Sequence, residues 1–159
     1  MGTPDFVIIG TQKAGTTWIE TQLNAHPDVA TPKRQLHYFD RHYDNGLAWY
    51  TQQFADCPAR LVGEKTTEYC DTRHLPQVAE RMARDIPDAK LIVTLRNPVK
   101  RATSALEHMV NSGLVPIPKD VNQEIWNDTH GYGYVTRGEY IDQLEAFYKV
   151  YPTDQVLVL

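Results

Sequence analysis

The sequence lacks several features that would point to particular protein classes. Among its 159 residues there are two cysteines, Cys57 and Cys70. They are too few for a disulfide framework, and their spacing fits neither a CxxC redox pair nor a zinc site. We therefore expect free thiols, as in a reducing cytosol, and a cytoplasmic location. No apolar run approaches the roughly 18 residues of a membrane span, and no basic region precedes an apolar stretch at the N-terminus, so no secretory signal is predicted.

An excess of basic residues is also missing. The chain has 16 Lys and Arg against 20 Asp and Glu, a formal net charge of −4. This balance argues against the broad basic surface of a general nucleic-acid binder, but it leaves room for a local anion site. With 42% hydrophobic and 23% charged residues, the composition is that of a globular protein. The length suits a single domain over residues 1–159.

The pattern of apolar residues predicts alternating strands and helices. Continuous runs of branched residues predict buried strands, at 6–9, 90–95 and 155–159, with weaker candidates at 29–30 and 60–63. Helical spacing predicts five helices, at 17–25, 47–54, 75–86, 98–112 and 140–151. Residues 113 to about 136 are expected to form a long loop or lid. This order predicts an α/β fold, a parallel sheet with helices on both faces. Since a domain rarely ends on an apolar strand, we expect the natural chain to continue beyond Leu159.

A polar loop with the sequence GTQKAGTT, at 10–17, joins the first strand to the first helix. A glycine-containing turn at this place directs backbone N–H groups and the positive end of the helix dipole toward an anion. Lys13 adds a charge, and Thr16 and Thr17 add hydroxyl donors. The loop is not a Walker A motif, which requires lysine directly after the second glycine. The strand at 90–95 leads to Arg96 and not to a Walker B aspartate, so the loop favours an anionic ester over a magnesium-nucleotide hydrolase.

A second anion-binding element is predicted after the strand at 90–95. Ligands of parallel sheets bind at the carboxyl ends of the strands, and Arg96 lies at such an end. Ser104 follows two helical turns later. A guanidinium and a helix hydroxyl together could hold a second phosphate.

Taken together, these motifs resemble those of the sulfotransferases that use 3′-phosphoadenosine 5′-phosphosulfate (PAPS). The loop from Gly10 to Trp18 is similar to the family's 5′-phosphosulfate loop, and Arg96-Asn97-Pro98 through Ser104 is similar to its 3′-phosphate motif. Gly63-Glu64-Lys65-Thr66 and Arg137-Gly138-Glu139-Tyr140 resemble two further family segments. The resemblance covers nearly the whole chain. It implies a P-loop-like three-layer sandwich and transfer of a sulfuryl group from PAPS to a hydroxyl or amine, with 3′-phosphoadenosine 5′-phosphate (PAP) as the product and no metal.

The same resemblance implies roles for individual residues. Lys13 would stabilise the leaving group, and Arg137 and Tyr140 would close over the nucleotide. The residues expected to bind the donor are Gln12, Lys13, Ala14, Gly15, Thr16, Thr17, Trp18, Arg96, Ser104, Arg137 and Tyr140.

The segment Arg34 to Asp40 departs from the family pattern at the position of the catalytic glutamate. Gln35 stands there, and an amide cannot accept the proton of an acceptor hydroxyl as a carboxylate can. Either His37 serves as the base, for which histidine is suited near neutral pH, or Glu64 does, or the protein is poorly active.

Two other functions remain open on the sequence alone. One is a P-loop kinase or NTPase, which the displaced lysine and the missing Walker B aspartate disfavour. The other is a non-catalytic nucleotide-binding or assembly module, which Gln35 favours. The acceptor is not specified: a small molecule, a carbohydrate, a lipid or a carrier-tethered hydroxyl would each be compatible. We expect His108 to lie on the acceptor side.

Overall fold

The chain folds around a five-stranded parallel sheet. The computed structural model describes residues 2–57 and 59–159. The strands are β1 (Phe6–Gly10), β2 (Val29–Ala30), β3 (Leu61–Lys65), β4 (Lys90–Val93) and β5 (Val156–Val158). Their order across the sheet is β2-β3-β1-β4-β5, and every pairing is parallel. The first strand of the sequence therefore lies at the centre of the sheet.

The central strand is buried along its whole length. All five residues of β1 are inaccessible to solvent or nearly so, which suits a strand covered on both faces. Phe6 lies opposite Gly63 of β3 and Lys90 of β4. A Cβ atom at Gly63 would lie 2.3 Å from Cε2 of Phe6. The glycine in β3 therefore makes room for the Phe6 ring on the central strand.

Helices connect the strands and flank the sheet. They are α1 (Thr16–Asn24), α2 (Tyr38–Arg41), α3 (Gly46–Gln52), α4 (Gln77–Asp85), α5 (Pro98–Asn111), α6 (Val121–Asn127) and α7 (Tyr140–Tyr148). The predicted α/β class is confirmed, as are the strands and the five predicted helices, with bounds that differ by a few residues. The start of α5 has two of the usual features of a helix N-terminus. The Asn97 side chain accepts a hydrogen bond from the Lys100 amide, and Pro98 occupies the first turn.

The structure differs from the sequence-based prediction in three places. Residues 113–136 are not entirely loop, because α6 lies within them. This helix is short, and its N-terminal signal is a single residue, Asp120, whose side chain accepts from the Gln123 amide at 3.0 Å. The four-residue helix α2 is too short to show periodicity. The third strand continues through Lys65, two residues beyond the predicted end.

The cysteines and the helix lengths can be compared with the predictions of free thiols and of no membrane span. Cys57 and Cys70 are both free, as predicted, and Cys70 is buried. Among the helices that the structure describes, none is long and apolar enough to cross a bilayer.

The two faces of the sheet are packed differently. Val7, Ile9, Leu91 and Val93 belong to the main core, together with an aromatic group contributed by α2, α3 and the turn after β3. In this group the rings of Tyr38 and Tyr50 stack with centroids 4.5 Å apart. On the other face, Ile92 and Leu157 line an apolar cavity with side chains of α1.

A carboxyl group lies inside this aromatic core. Glu64 on β3 is fully buried. The Tyr50 hydroxyl donates to its Oε1 at 2.7 Å, and the Thr66 hydroxyl donates to its Oε2 at 3.1 Å. Burial raises the pKa of Glu64 to about 7, although the hydrogen bonds from Tyr50 and Thr66 act in the opposite direction. The folded protein therefore keeps this proton to a higher pH than the unfolded chain does.

The raised pKa of Glu64 makes the stability of the protein depend on pH. The pKa of Glu64 rises from an ordinary value of 4.5 to about 7 on folding. The folded state thus binds more protons between these values, and its free energy of unfolding falls as the pH rises through this window, by about 3 kcal/mol from this one group. Glu64→Gln keeps the shape without the titration. We expect the variant to gain stability relative to the wild type between about pH 5 and pH 8, measured by urea denaturation. Parallel stability curves for the two proteins would contradict this assignment.

Candidate functional site

All five parallel strands end at the same edge of the sheet, and the segments that follow β1, β3 and β4 meet there. The loop after β1 runs from Gly10 to α1, the turn after β3 begins at Thr66, and the segment after β4 leads to Asn97. Because β1 pairs in parallel with both β3 and β4, their carboxyl ends lie side by side. This is the place where parallel sheets bind ligands.

The loop after β1 is shaped to present backbone donors. Gly15 precedes α1 with φ 97°, in the left-handed region that favours glycine. The helical hydrogen bonds begin with the Trp18 amide, which donates to the Gly15 carbonyl. The amides of Thr16 and Thr17 therefore have no partner within the helix. At the start of a helix such amides, aided by the helix dipole, favour an anion.

The segment after β4 is fastened to this loop. The Arg96 guanidinium donates to the Lys13 carbonyl at 3.1 Å, and the Tyr140 hydroxyl donates to the Arg96 carbonyl at 2.7 Å. Further along the chain, Ser104 and His108 are one helical turn apart on α5, on the same side of the helix. Arg96 thus links the loop after β1 to the helix that follows β4.

These elements enclose a polar cavity of about 490 Å³. We call it the anion cavity. Its lining residues are Gln12, Lys13, Gly15, Thr16, Thr17, Gln35, Lys65, Thr67, Glu68, Arg96, Ser104 and His108. Lys65 forms an ion pair with Glu20 of α1. Lys13 and Arg96 make no ion pair within the described part of the chain, so their charges are available to a ligand.

Most of the residues predicted to bind the donor line this cavity. Both predicted phosphate-binding groups are present: the loop residues Gln12, Lys13, Gly15, Thr16 and Thr17, and the pair Arg96 and Ser104. His108 also lines it, although nothing yet distinguishes an acceptor side. Ala14 and Trp18 belong to the same loop and helix but do not line the cavity, and Trp18 is exposed.

Arg137 and Tyr140 lie outside the anion cavity. Arg137 is paired with Asp71, with 3.0 Å between Nε and Oδ2. It lines a neighbouring cavity of about 290 Å³ together with Asp40, Arg41, His74 and others. We call this the adjoining cavity. Tyr140 acts on the anion cavity indirectly, through its hydrogen bond to Arg96.

Of the three residues discussed as the base, Gln35 alone reaches the anion cavity. Its Oε1 accepts from the Thr67 amide at 2.8 Å and from the Thr67 hydroxyl at 3.2 Å. Since a backbone N–H can only donate, this contact fixes the amide oxygen toward Thr67. Gln35 is therefore held in place, but it presents no basic atom.

His37 and Glu64 are both turned to other partners. The His37 ring pairs with Asp40, with 2.9 Å between Nδ1 and Oδ2, and its backbone amide donates to the Thr66 hydroxyl. It does not line the anion cavity. Glu64 is enclosed in the aromatic core, where both of its oxygens accept hydrogen bonds.

Three residues that line the cavity, Lys65, Thr67 and Glu68, were not among the predicted site residues. Lys65 belongs to a motif that was identified, but it was given no role. Thr67 and Glu68 follow in the 3₁₀ turn Thr67–Cys70. The strand pattern could have identified Lys65. Side chains alternate between the two faces of a strand, so Lys65, which follows the buried Glu64, lies on the opposite face. Among the described residues, no group of three or more His, Cys, Asp or Glu side chains is arranged to hold a metal ion.

Comparison with known proteins agrees with these observations. A family model described as the sulfotransferase domain matches residues 3–159. The solved structure of a sulfotransferase from Alicyclobacillus acidocaldarius superimposes with a TM-score of 0.85 at 25% sequence identity, covering 100% of this chain and 73% of that one.

Two curated relatives show how far the similarity extends. Heparan sulfate glucosamine 3-O-sulfotransferase 3B1 from Homo sapiens is 34% identical over 160 residues, covering 97% of this chain and 40% of that protein. Membrane-associated sulfotransferase kil1 from Dictyostelium discoideum is 38% identical over 106 residues, covering 64% of this chain and 22% of that protein. The chain thus spans less than half the length of these relatives. The family match over nearly the whole chain and the shared fold lead to one conclusion: the chain belongs to the sulfotransferase family.

Proposed function

We propose that this chain transfers a sulfuryl group from PAPS to a hydroxyl of a carbohydrate acceptor. The observation that carries the proposal is that the two elements predicted to bind phosphate, the loop after β1 and the pair Arg96 and Ser104, line one cavity of about 490 Å³. A nucleotide with phosphates on both the 3′ and 5′ positions needs two such elements. The family's general use of PAPS supports the choice of donor.

The residues of the cavity suit a donor of this charge. The amides of Thr16 and Thr17 at the start of α1 and the Lys13 side chain would bind the 5′-phosphosulfate. Arg96 and Ser104 would bind the 3′-phosphate, which ATP lacks. PAPS supplies the activated sulfuryl group, and the protein positions it and neutralises the charge that develops on the leaving phosphate, as in phosphoryl transfer. Lys13 is the residue we assign to this neutralisation.

A carbohydrate acceptor is supported by the names of the relatives and by the adjoining cavity. The human relatives named for heparan sulfate glucosamine are similar to almost the whole of this chain. The adjoining cavity opens beside the anion cavity, because Glu68 lines both. The polar side chains in its lining, which include those of Arg41, His74 and Tyr132, suit a hydroxyl-rich ligand. A cytoplasmic location stays a prediction.

Binding of the product nucleotide tests the donor. PAP should stabilise the protein, whereas adenosine 5′-phosphate, which has no 3′-phosphate for Arg96 and Ser104, should do so much less. At a hundredfold excess over Kd a ligand adds about 2.7 kcal/mol to the free energy of unfolding. The measurement is a thermal-shift titration of both nucleotides. Equal shifts would remove the assignment of Arg96 and Ser104 to the 3′-phosphate.

Replacement of Lys13 tests the catalytic assignment. Lys13→Ala removes the charge that meets the leaving phosphate but little packing, since Lys13 lies in a loop. We expect the rate of sulfate transfer from PAPS to a heparan sulfate oligosaccharide to fall by about 10²–10³-fold, with the stability changed by no more than about 0.5 kcal/mol. Lys149→Ala, an exposed lysine at the end of α7, is the matched control and should change neither. Loss of folding in Lys13→Ala would show that the lysine is structural.

A second function, nucleotide binding without transfer, is favoured by Gln35 alone. The same experiments separate the two: PAP would stabilise the protein, but no sulfate would reach any acceptor.

A further inference from the structure

A hydroxyl acceptor needs a group that takes its proton, and the three residues of the predicted base, Gln35, His37 and Glu64, do not provide one in the anion cavity. The Gln35 amide is not basic. The His37 ring does not line this cavity, and Glu64 is enclosed in the core. If the chain transfers sulfate, the proton must go to another side chain.

Glu68 is the one residue with a carboxylate among those that line the anion cavity. Its Oε2 accepts from the Thr67 hydroxyl at 3.0 Å. Its other oxygen, Oε1, accepts no hydrogen bond from the described residues. Unlike Glu64, then, Glu68 is only partly buried and has an oxygen available to an incoming hydroxyl.

The contacts of Thr67 place Glu68 next to Gln35. The single hydroxyl of Thr67 lies 3.2 Å from the Gln35 oxygen and 3.0 Å from the Glu68 oxygen. Gln35 and Glu68 therefore flank one side chain at the edge of the cavity. A carboxylate at both positions would place two like charges around one hydroxyl proton, which disfavours ionisation of the pair. An amide at 35 leaves the charge of Glu68 unopposed.

Glu68 also lies where an acceptor would meet the donor. It lines both the anion cavity and the adjoining cavity. With the donor in the first cavity and the acceptor in the second, a group at their boundary is next to the reacting hydroxyl.

We propose that Glu68 is the general base of this protein and takes the place of the glutamate that Gln35 replaces. The proposal rests on the proposed function. In the step, the acceptor oxygen forms a bond to sulfur, and the bond between sulfur and the bridging phosphate oxygen breaks. The electron pair of that bond stays on the phosphate of PAP, beside Lys13. The proton of the acceptor hydroxyl goes to the Glu68 carboxylate.

The experiment measures PAP binding and sulfate transfer from PAPS to a heparan sulfate oligosaccharide in four proteins: the wild type, Glu68→Gln, Glu145→Gln and the double variant Gln35→Glu/Glu68→Gln. General-base catalysis contributes about 10²–10⁴-fold, so Glu68→Gln should lower kcat by this factor and leave PAP binding unchanged. Glu145→Gln, at an exposed position of α7, should match the wild type. In the double variant the carboxylate is at position 35, on the other side of the Thr67 hydroxyl. We expect this variant to recover part of the lost rate.

Two results would overturn the role of Glu68 without touching the donor assignment. One is transfer by Glu68→Gln at the wild-type rate. The other is a loss of rate in that variant that follows a loss of PAP binding. A wild-type protein that binds PAP and transfers no sulfate, or one that fails to bind PAP, would instead contradict the proposed function itself.

Discussion

The parallel pairing of β1 with β3 and β4 is the constraint on which the site depends. It brings the ends of three strands to one edge of the sheet, and each strand is followed by a segment with a different group to offer. The loop after β1 offers backbone amides and Lys13, the turn after β3 offers Thr67 and Glu68, and the segment after β4 offers Arg96. The buried run of β1 and the close fit of Phe6 against Gly63 hold these strands in register. The apolar sequence of β1 thus determines where the polar cavity forms.

Local charge, and not the net charge of the chain, makes this cavity suitable for an anion. The protein carries a net charge of −4, yet Lys13, Lys65 and Arg96 meet around one space. One of the three, Lys65, is balanced by Glu20, whereas Lys13 and Arg96 are left to a ligand. A cavity of this kind has a positive electrostatic potential near a bound phosphate even when the net charge of the protein is negative.

The sequence predicted the parts of the site that depend on local structure. A strand, a glycine-containing loop and a helix in direct succession define an anion site by themselves, and Gln12 to Thr17 were identified for this reason. Arg96 was found because it ends a clear apolar run. Glu68, which we propose as the base, could not be found in this way. The strand at 60–63 was predicted to end before Glu64 and Lys65. The alternation of side chains along a strand, which turns Glu64 inward and Lys65 toward the site, was therefore not used for these two residues.

Other residues depend on contacts between distant parts of the chain. Glu68 lies in a 3₁₀ turn with no periodicity, and its importance follows from the approach of Gln35, thirty-two positions before Thr67. Arg137 follows a long segment whose path no local rule predicts, and it pairs with Asp71. Tertiary packing therefore determines that Glu68 lines the anion cavity and that Arg137 lines the adjoining cavity.

A crystal structure of the chain with bound PAP would show directly how the cavity holds the nucleotide. We expect the 5′-phosphate at the amides of Thr16 and Thr17 and the Lys13 side chain, and the 3′-phosphate at Arg96 and Ser104. PAP bound outside the anion cavity, or bound there with its 3′-phosphate away from Arg96 and Ser104, would contradict this assignment.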